Sequence, residues 1–314
     1  MATNKEKKVE LLKRFVLKII ILFSVVLVAL EGCYTLGIIE KSPAKALMSA
    51  FGANAINENS EFVLFLDVGQ GDCIIIKSKT ATAVIDFGIT DEDDTIYRKL
   101  LELGVDRVDL AVITHHHSDH FGGFKNLIER IKIDNLLMSE NSADDSQTEE
   151  LYDVLRLANQ NNVKIIEPKM GTCFNLGDAI LKVLYADDLA AKENNRSVIT
   201  MLYMGGKKIL LTGDAESMVE KHISKTIDID CDILKMGHHG SYTSTTEKLL
   251  DAATPTVAIA SVGYDNIYKH PSSWALLRLK FAGVNLYRTD LNGDVYIKFS
   301  SGSNSFSVIK EKGN

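Results

Sequence analysis

Residues 114–123 read Thr-His-His-His-Ser-Asp-His-Phe-Gly-Gly, and no other stretch constrains this chain so tightly. Four of the eight histidines fall within six positions, with an aspartate immediately before the last. The apolar run Leu110-Ala111-Val112-Ile113 before them has the length and character of a buried strand, and Phe121-Gly122-Gly123 restarts the chain as a helix. The histidines therefore sit on a loop at the carboxyl end of a strand, where α/β sheets place their chemistry. His115 and His117 alternate along an extended segment, so both rings face one way while His116 faces the other. Asp119 and His120 follow at the turn and face a second point a short distance off. Imidazole with carboxylate suits Zn, Mn or Fe, and the loop offers no thiolate to select against the harder ions. The alternative is a solvated polar loop, against which the strand before it and the Gly-Gly after it both argue.

The pattern His-x-His-x-Asp-His after a strand, followed by Gly-Gly, resembles the metal signature of the metallo-β-lactamase superfamily. Further segments resemble, in order and spacing, the hydrolase domain of ComEC-type DNA-uptake proteins. They are Phe65-Leu66-Asp67-Val68-Gly69-Gln70-Gly71-Asp72, Ala83-Val84-Ile85-Asp86-Phe87-Gly88, and Leu210-Leu211-Thr212-Gly213-Asp214. Leu234-Lys235-Met236-Gly237-His238-His239-Gly240-Ser241, Ser261-Val262-Gly263 and Tyr268-Lys269-His270-Pro271 complete the set. The resemblance covers roughly residues 61–300 and implies an α/β fold, the αβ/βα four-layer sandwich, with two divalent transition-metal ions, Zn or Mn.

Site residues follow from both readings. Asp214 closes an apolar strand, where a carboxylate can bridge two cations or cap the next helix; the resemblance implies bridging. It also implies that one of His238 and His239 ligates metal while its neighbour is free for substrate, and the expected assignment is His238 to metal and His239 to substrate. The expected ligand set is thus His115, His117, Asp119, His120, Asp214 and His238, with Asp119 also orienting the attacking water. Asp86 is similar to the carboxylate that orients the histidine loop in this family, and Asp72 is expected to do similar work, whereas Asp67 reads as turn chemistry. His270 is restrained by Pro271 and is expected either to touch substrate or to pack within its loop.

One departure stands out. The hydrolytic lactamases carry another histidine before the bridging aspartate, and this chain has none between His120 and His222. Asn194-Asn195-Arg196-Ser197 stands there instead, so Asn194, Asn195 or Ser197 is a candidate weak oxygen ligand or substrate contact. Oxygen-rich coordination makes Mn more plausible than an all-histidine site would. His222 reads as a surface residue.

The formal net charge is -7, which argues against a broadly basic nucleic-acid surface. Lys5, Lys7, Lys8, Lys13, Arg14 and Lys18 nevertheless crowd the start, followed by an apolar run from Ile19 to Leu30. Counting from Phe15 gives about sixteen residues, short of the ~20 that a spanning helix prefers. Residues 1–33 are expected to be a basic start and membrane anchor that holds the domain outside the cell. The alternatives are a cleaved signal with secretion, and a buried helix. Residues 34–60 read as a linker and 61–314 as the hydrolase domain. The four cysteines show no pair spacing, and Cys73 and Cys231 read as core residues.

Along the domain, strands are predicted over 62–68, 73–77, 82–86, 110–113, 163–166, 180–185, 198–203, 208–211, 285–288, 294–299 and 305–309. Helices are predicted over 93–103, 121–130 and 149–160, and Gly205-Gly206 reads as a hairpin turn. The reading implied for the whole is a metal-dependent hydrolase, a phosphodiesterase or nuclease acting on extracellular DNA. The rivals are a phosphodiesterase or esterase for small envelope molecules, and an anchored binding module whose metal site is inactive.

Overall fold

The computed structural model describes residues 60–90, 93–141, 148–300 and 304–312, together with scattered helical residues between 13 and 30. The expected anchor over 1–33 and the linker over 34–60 lie largely outside the described residues. Among the described residues no helix is long and apolar enough to cross a membrane. The compact unit considered below spans Glu58–Asn314.

It contains two large sheets. The first holds β1 (Phe62–Phe65), β2 (Ile74–Lys77), β3 (Thr82–Ile85), β5 (Leu110–Val112), β7 (Asn135–Leu137), β8 (Lys164–Ile166), β16 (Val295–Phe299) and β17 (Phe306–Lys310). Their order is β17-β16-β1-β2-β3-β5-β7-β8. The second holds β9 (Cys173–Leu176), β10 (Ala179–Tyr185), β11 (Ile199–Met204), β12 (Lys207–Leu211), β13 (Ile233–Lys235), β14 (Val257–Ala260) and β15 (Asn285–Arg288), in the order β15-β14-β13-β12-β11-β10-β9. A short pair, β4 (Arg107–Val108) with β6 (Lys132–Ile133), stands apart.

Side chains that alternate along each strand explain the layering. Val63, Phe65, Ile74, Ile76, Ile85 and Val112 from the first sheet meet Leu181, Val183, Leu202, Leu211, Ile233 and Ile259 from the second in one apolar core. The opposite face of the second sheet, through Leu210, Leu234 and Ala258, packs on Val219, Ile223, Leu249 and Leu279. Those four come from α5 (Ser217–Thr226), α6 (Glu247–Ala253) and α7 (Ser273–Ala282). Phe62, Leu64, Ile75 and Val84, on the far face of the first sheet, are also fully buried. On that side lie α1 (Asp93–Glu102), α3 (Phe124–Ile128) and α4 (Thr148–Gln160), whose Ile96, Leu100, Leu127 and Val154 are buried. The expected αβ/βα sandwich is therefore the observed one.

Two differences from the sequence reading have plain causes. The strand β9 was not predicted because it exposes Cys173 and Asn175 and has no strong apolar alternation. The predicted helix over 121–130 is instead α2 (Ser118–Phe121) followed by α3. Gly122 and Gly123 divide them, since a Cβ at Gly123 would lie 2.3 Å from the Phe87 carbonyl oxygen and one at Gly122 2.5 Å from that of Ser118. The glycines let this turn press against the segment after β3.

Candidate metal centre

Strands β3, β5 and β7 run parallel, as do β12, β13, β14 and β15. Their carboxyl ends deliver the polar residues of the site. Asp86 follows β3, the histidine loop follows β5, Asp214 follows β12, His238 and His239 follow β13, and the loop containing His270 follows β14. For the histidine loop, Asp214 and the adjacent His238 and His239 this position was readable from sequence, because each closely follows an apolar run.

The loop after β5 is tightly held. Asp86 accepts from the Thr114 backbone N–H at 2.8 Å, from its hydroxyl at 2.8 Å, and pairs with His120 Nδ1 at 2.8 Å. That bond turns His120 Nε2 toward Asp214 Oδ1, 3.3 Å away. His115 Nε2 lies 3.1 Å from His117 Nδ1, and the His115 and His120 ring centres are 4.2 Å apart. His239 Nε2 stands 3.2 Å from Asp119 Oδ2 and 3.5 Å from Asp214 Oδ2, while its Nδ1 contacts the Ser261 carbonyl oxygen at 3.0 Å and Asp72 Oδ1 at 3.4 Å. Asp86, His238 and His239 all have positive φ, at 58°, 49° and 53°. Such backbone costs about 1–3 kcal/mol per residue and persists only where surrounding structure enforces it.

Four sets of donors come within 4.8 Å of one another: His115, His120 and Asp214; Asp119, His120 and His239; Asp72, Asp86 and His120; and Asp72, Asp214 and His239. The structure therefore brings together His115, Asp119, His120 and Asp214 as expected, with Asp86 and Asp72 behind them. The two adjacent histidines, expected to serve metal (His238) and substrate (His239), stand differently, with only His239 in these donor sets. His239 is fully buried among the carboxylates, whereas His238 is partly exposed, 3.8 Å from Asp214 and near Asn194. His117 lies beside His115 but outside the four sets.

The Asn-Asn-Arg-Ser segment proves to be a brace. Ser197 Oγ accepts from the Asp214 N–H at 2.9 Å and lies 3.4 Å from His115 Nδ1. Asn195, a candidate ligand in the sequence, has its Oδ1 accepting from the Glu216 N–H at 3.1 Å. Asn194 contacts Glu216 and His238 through its Nδ2. His270 is half-buried, with its ring centre 5.5 Å from that of His238. His222 is exposed, as expected of a surface residue.

Two participants escaped the sequence reading. Lys235, at the end of β13, is fully buried and pairs with Asp72 at 2.7 Å while donating to the Met236 carbonyl oxygen at 2.9 Å. Glu193 accepts from the His116 backbone N–H at 2.9 Å and lies 3.3 Å from its ring, so His116 is buried against a carboxylate rather than turned to solvent. A lysine at the end of Ile-Leu-Lys carries no signal of burial. Nor does a glutamate within Lys-Glu-Asn-Asn.

The electrostatics are those of a concentrated acidic cluster. Burial disfavours charge on His239, yet Asp214, Asp119 and Asp72 prevail and push its pKa up to about 10. His120 is raised in the same way against its burial, by Asp214, Asp86 and Asp119. Burial would raise Asp214, but His239 and His120 hold it well below the usual carboxylate range. His115 goes the other way, lowered by burial and by neighbouring His120. His120 Nε2 and Asp214 Oδ1 face each other at 3.3 Å and Asp72 Oδ1 faces His239 Nδ1 at 3.4 Å. Yet the buried His120 Nε2, Asp214 Oδ1 and Asp72 Oδ1 make no well-directed hydrogen bond, a costly arrangement unless a ligand completes them. A buried acidic cluster that draws positive charge onto its imidazoles fits divalent cations. The described cysteines do not contribute, since burial pushes the Cys73 thiol up and Cys231 to about 12, and Cys173 lies exposed on β9.

Comparison with known proteins agrees with this geometry. The chain is 30% identical over 264 residues to ComE operon protein 3 of Bacillus subtilis (strain 168), covering 77% of this chain and 34% of that protein. It is 28% identical over 247 residues to Competence protein ComA of Neisseria gonorrhoeae, covering 78% and 33%. The chain thus spans about a third of the length of these relatives. Among solved structures, the metallo-beta-lactamase fold protein YhfI from Bacillus subtilis superimposes with a TM-score of 0.50 at 9% identity, covering 72% of this chain and 95% of YhfI. CmlA, a diiron beta-hydroxylase from Streptomyces venezuelae, gives 0.52 at 15% identity, covering 77% and 54%. These two likenesses concern the fold. The model of the metallo-beta-lactamase superfamily matches residues 66–264, which include the histidine loop, Asp214 and both adjacent histidines, and the chain belongs to that superfamily.

Proposed function

We propose that the chain is a metal-dependent phosphodiester hydrolase that cuts DNA outside the cell. The observation that carries this reading is the convergence of His115, His120, Asp119, Asp214 and His239 at the carboxyl ends of strands from two sheets. In this reading His115, with His117 beside it, and Asp214 would hold one ion, and Asp119, His120 and His239 a second, with the Asp214 carboxylate available to both. Bound there, two divalent ions supply Lewis-acid activation of water and neutralise charge developing on the ester. The protein's own part is positional. Asp86 fixes the His120 ring through Nδ1, and Ser261 and Asp72 fix His239 through its Nδ1. Asp119 is more open than Asp214, its side chain 27% exposed against 2%, which supports a role for it in orienting the attacking water. The name of one relative, Competence protein ComA, together with the resemblance to DNA-uptake hydrolase domains, favours DNA over a small ester as substrate.

The test is the purified chain offered single-stranded and duplex DNA and bis-p-nitrophenyl phosphate, with Mn²⁺ or Zn²⁺. DNA cleavage is expected, lost on mild chelation and restored by excess metal, with Mn²⁺ the better activator because no histidine stands between His120 and Asp214 where the lactamases place one. Hydrolysis of the small ester with DNA left intact would select the small-molecule reading. Silence with every metal would select an inactive binding module.

The reading includes display on the outer face of the cell membrane through residues 1–33, supported by the basic cluster and the apolar run up to Leu30. Fractionation is expected to leave the chain with membranes and its domain open to added protease. Recovery as a soluble cytoplasmic protein would end this part.

A further inference from the structure

The loop after β14, residues 261–272, carries large exposed side chains near the candidate centre. Tyr264 is 80% exposed, Ile267 83% and Tyr268 62%. The loop is not slack. Asn266 Nδ2 donates to the carbonyl oxygens of Gly263 at 2.9 Å and His270 at 2.7 Å, and its Oδ1 accepts from the His270 N–H at 2.9 Å. Gln70 Oε1 accepts from the Gly263 N–H at 3.1 Å, and the Gly240 carbonyl oxygen from the Ser272 N–H at 2.9 Å, so both ends are tied to the body. Within it, Asp265 and Lys269 have φ of 50° and 58°, a cost that the loop's bonds sustain.

This rigid loop holds Tyr268 in a stack on His270, with ring centres 5.7 Å apart and planes 26° apart. His270 in turn lies 6.5 Å from His239 at 23° and 5.5 Å from His238. An aromatic surface therefore runs from solvent, across Tyr268 and His270, to a candidate metal donor. Aromatic rings on a rigid, hydrogen-bonded loop lose little conformational freedom when a ligand covers them. Exposed aromatic clusters beside a site are a mark of ligand contact.

We propose that Tyr268, with Tyr264 on the same loop, is a base-stacking platform that selects single-stranded nucleic acid and sets the nucleotide beside the cleaved ester. The proposal rests on the hydrolase reading above for the ester and on the loop for the base. The flat face of a base matches a tyrosine ring, and only an unpaired strand can offer that face, since a duplex hides it between neighbouring pairs. Charge points the same way. The chain carries a net -7, and Lys269, the lysine of this loop, is paired with Asp265 at 3.7 Å. Phosphate neutralisation is therefore a poor source of affinity, and stacking is left to supply it, with a weak dependence on salt.

The test compares two fluorescein-labelled 12-mers with identical phosphates, oligothymidylate and an all-abasic tetrahydrofuran chain, binding to the full protein in chelator. Wild-type protein is expected to prefer the base-bearing strand, and Tyr268→Ala to lose roughly 5- to 100-fold of that preference, as the loss of one stacked base predicts. Tyr268→Phe keeps the ring and is expected to keep the preference, and Tyr264→Ala to lose a smaller part. Equal binding of the two strands by wild type, or an unchanged preference in Tyr268→Ala, would overturn the proposal. Because binding is read without metal, failure here is separable from failure of hydrolysis, which the small ester reports independently.

Discussion

Asp214→Asn is expected to lower activity by at least roughly 100-fold and to leave the purified chain with no more than one equivalent of transition metal after reconstitution. The wild-type chain is expected to hold more than one. The substitution keeps size and shape, and the Asp214 backbone N–H keeps its bond to Ser197 Oγ, so the fold is largely spared. What changes is charge between the two halves of the cluster. Oδ1 faces His120 at 3.3 Å, and Oδ2 faces His239 at 3.5 Å and His238 at 3.8 Å, so one carboxylate serves both sides. Even groups behind the ligands change affinity by about 10–100-fold when altered, and a shared ligand should cost no less. Elemental analysis alongside a thermal melt separates metal loss from unfolding. Full metal content in a folded variant would remove Asp214 from the bridging role.

How much of this site was legible in sequence depends on whether a residue's partner is local. The histidine loop was legible because spacing alone places its side chains, and Asp86 and Asp214 because each ends an apolar strand. The adjacent histidines were not resolved, for a definite physical reason. Alternation along a strand would send neighbouring side chains to opposite faces, but His238 and His239 both leave the extended region for the left-handed one. Their directions are then set by the turn, and no sequence period encodes it. The sandwich itself was readable from the resemblance and from the alternation of strands with helices, helped by central strands such as β1 and β14 that are apolar and buried throughout. The edge strand β9 lacked that signal. Glu193 and Lys235 were invisible because their partners, the His116 backbone and Asp72, lie far away along the chain.

Lys235 supports the second large expectation. Its ammonium is fully buried and makes a 2.7 Å pair with Asp72, itself buried, beneath the candidate centre. Burial alone would raise the Asp72 carboxyl, yet Lys235 first and His239 next hold it well below the usual range. Removing one partner of a buried pair leaves a charge without compensation and costs about 3–5 kcal/mol, whereas replacing both with well-packed groups is often close to neutral. Lys235→Met should therefore lose about 3–5 kcal/mol in urea unfolding, and Asp72→Asn with Lys235→Met should lose less than the sum of the two single variants. Activity should fall in all three, because Asp72 Oδ1 stands 3.4 Å from His239 Nδ1 and helps direct the other ring nitrogen toward Asp119. The distinguishing outcome is the double variant: recovered stability without recovered activity would mean that the pair serves the site more than the fold. A Lys235→Met protein within about 1 kcal/mol of wild type would show that the pair contributes little to stability, as exposed ion pairs do.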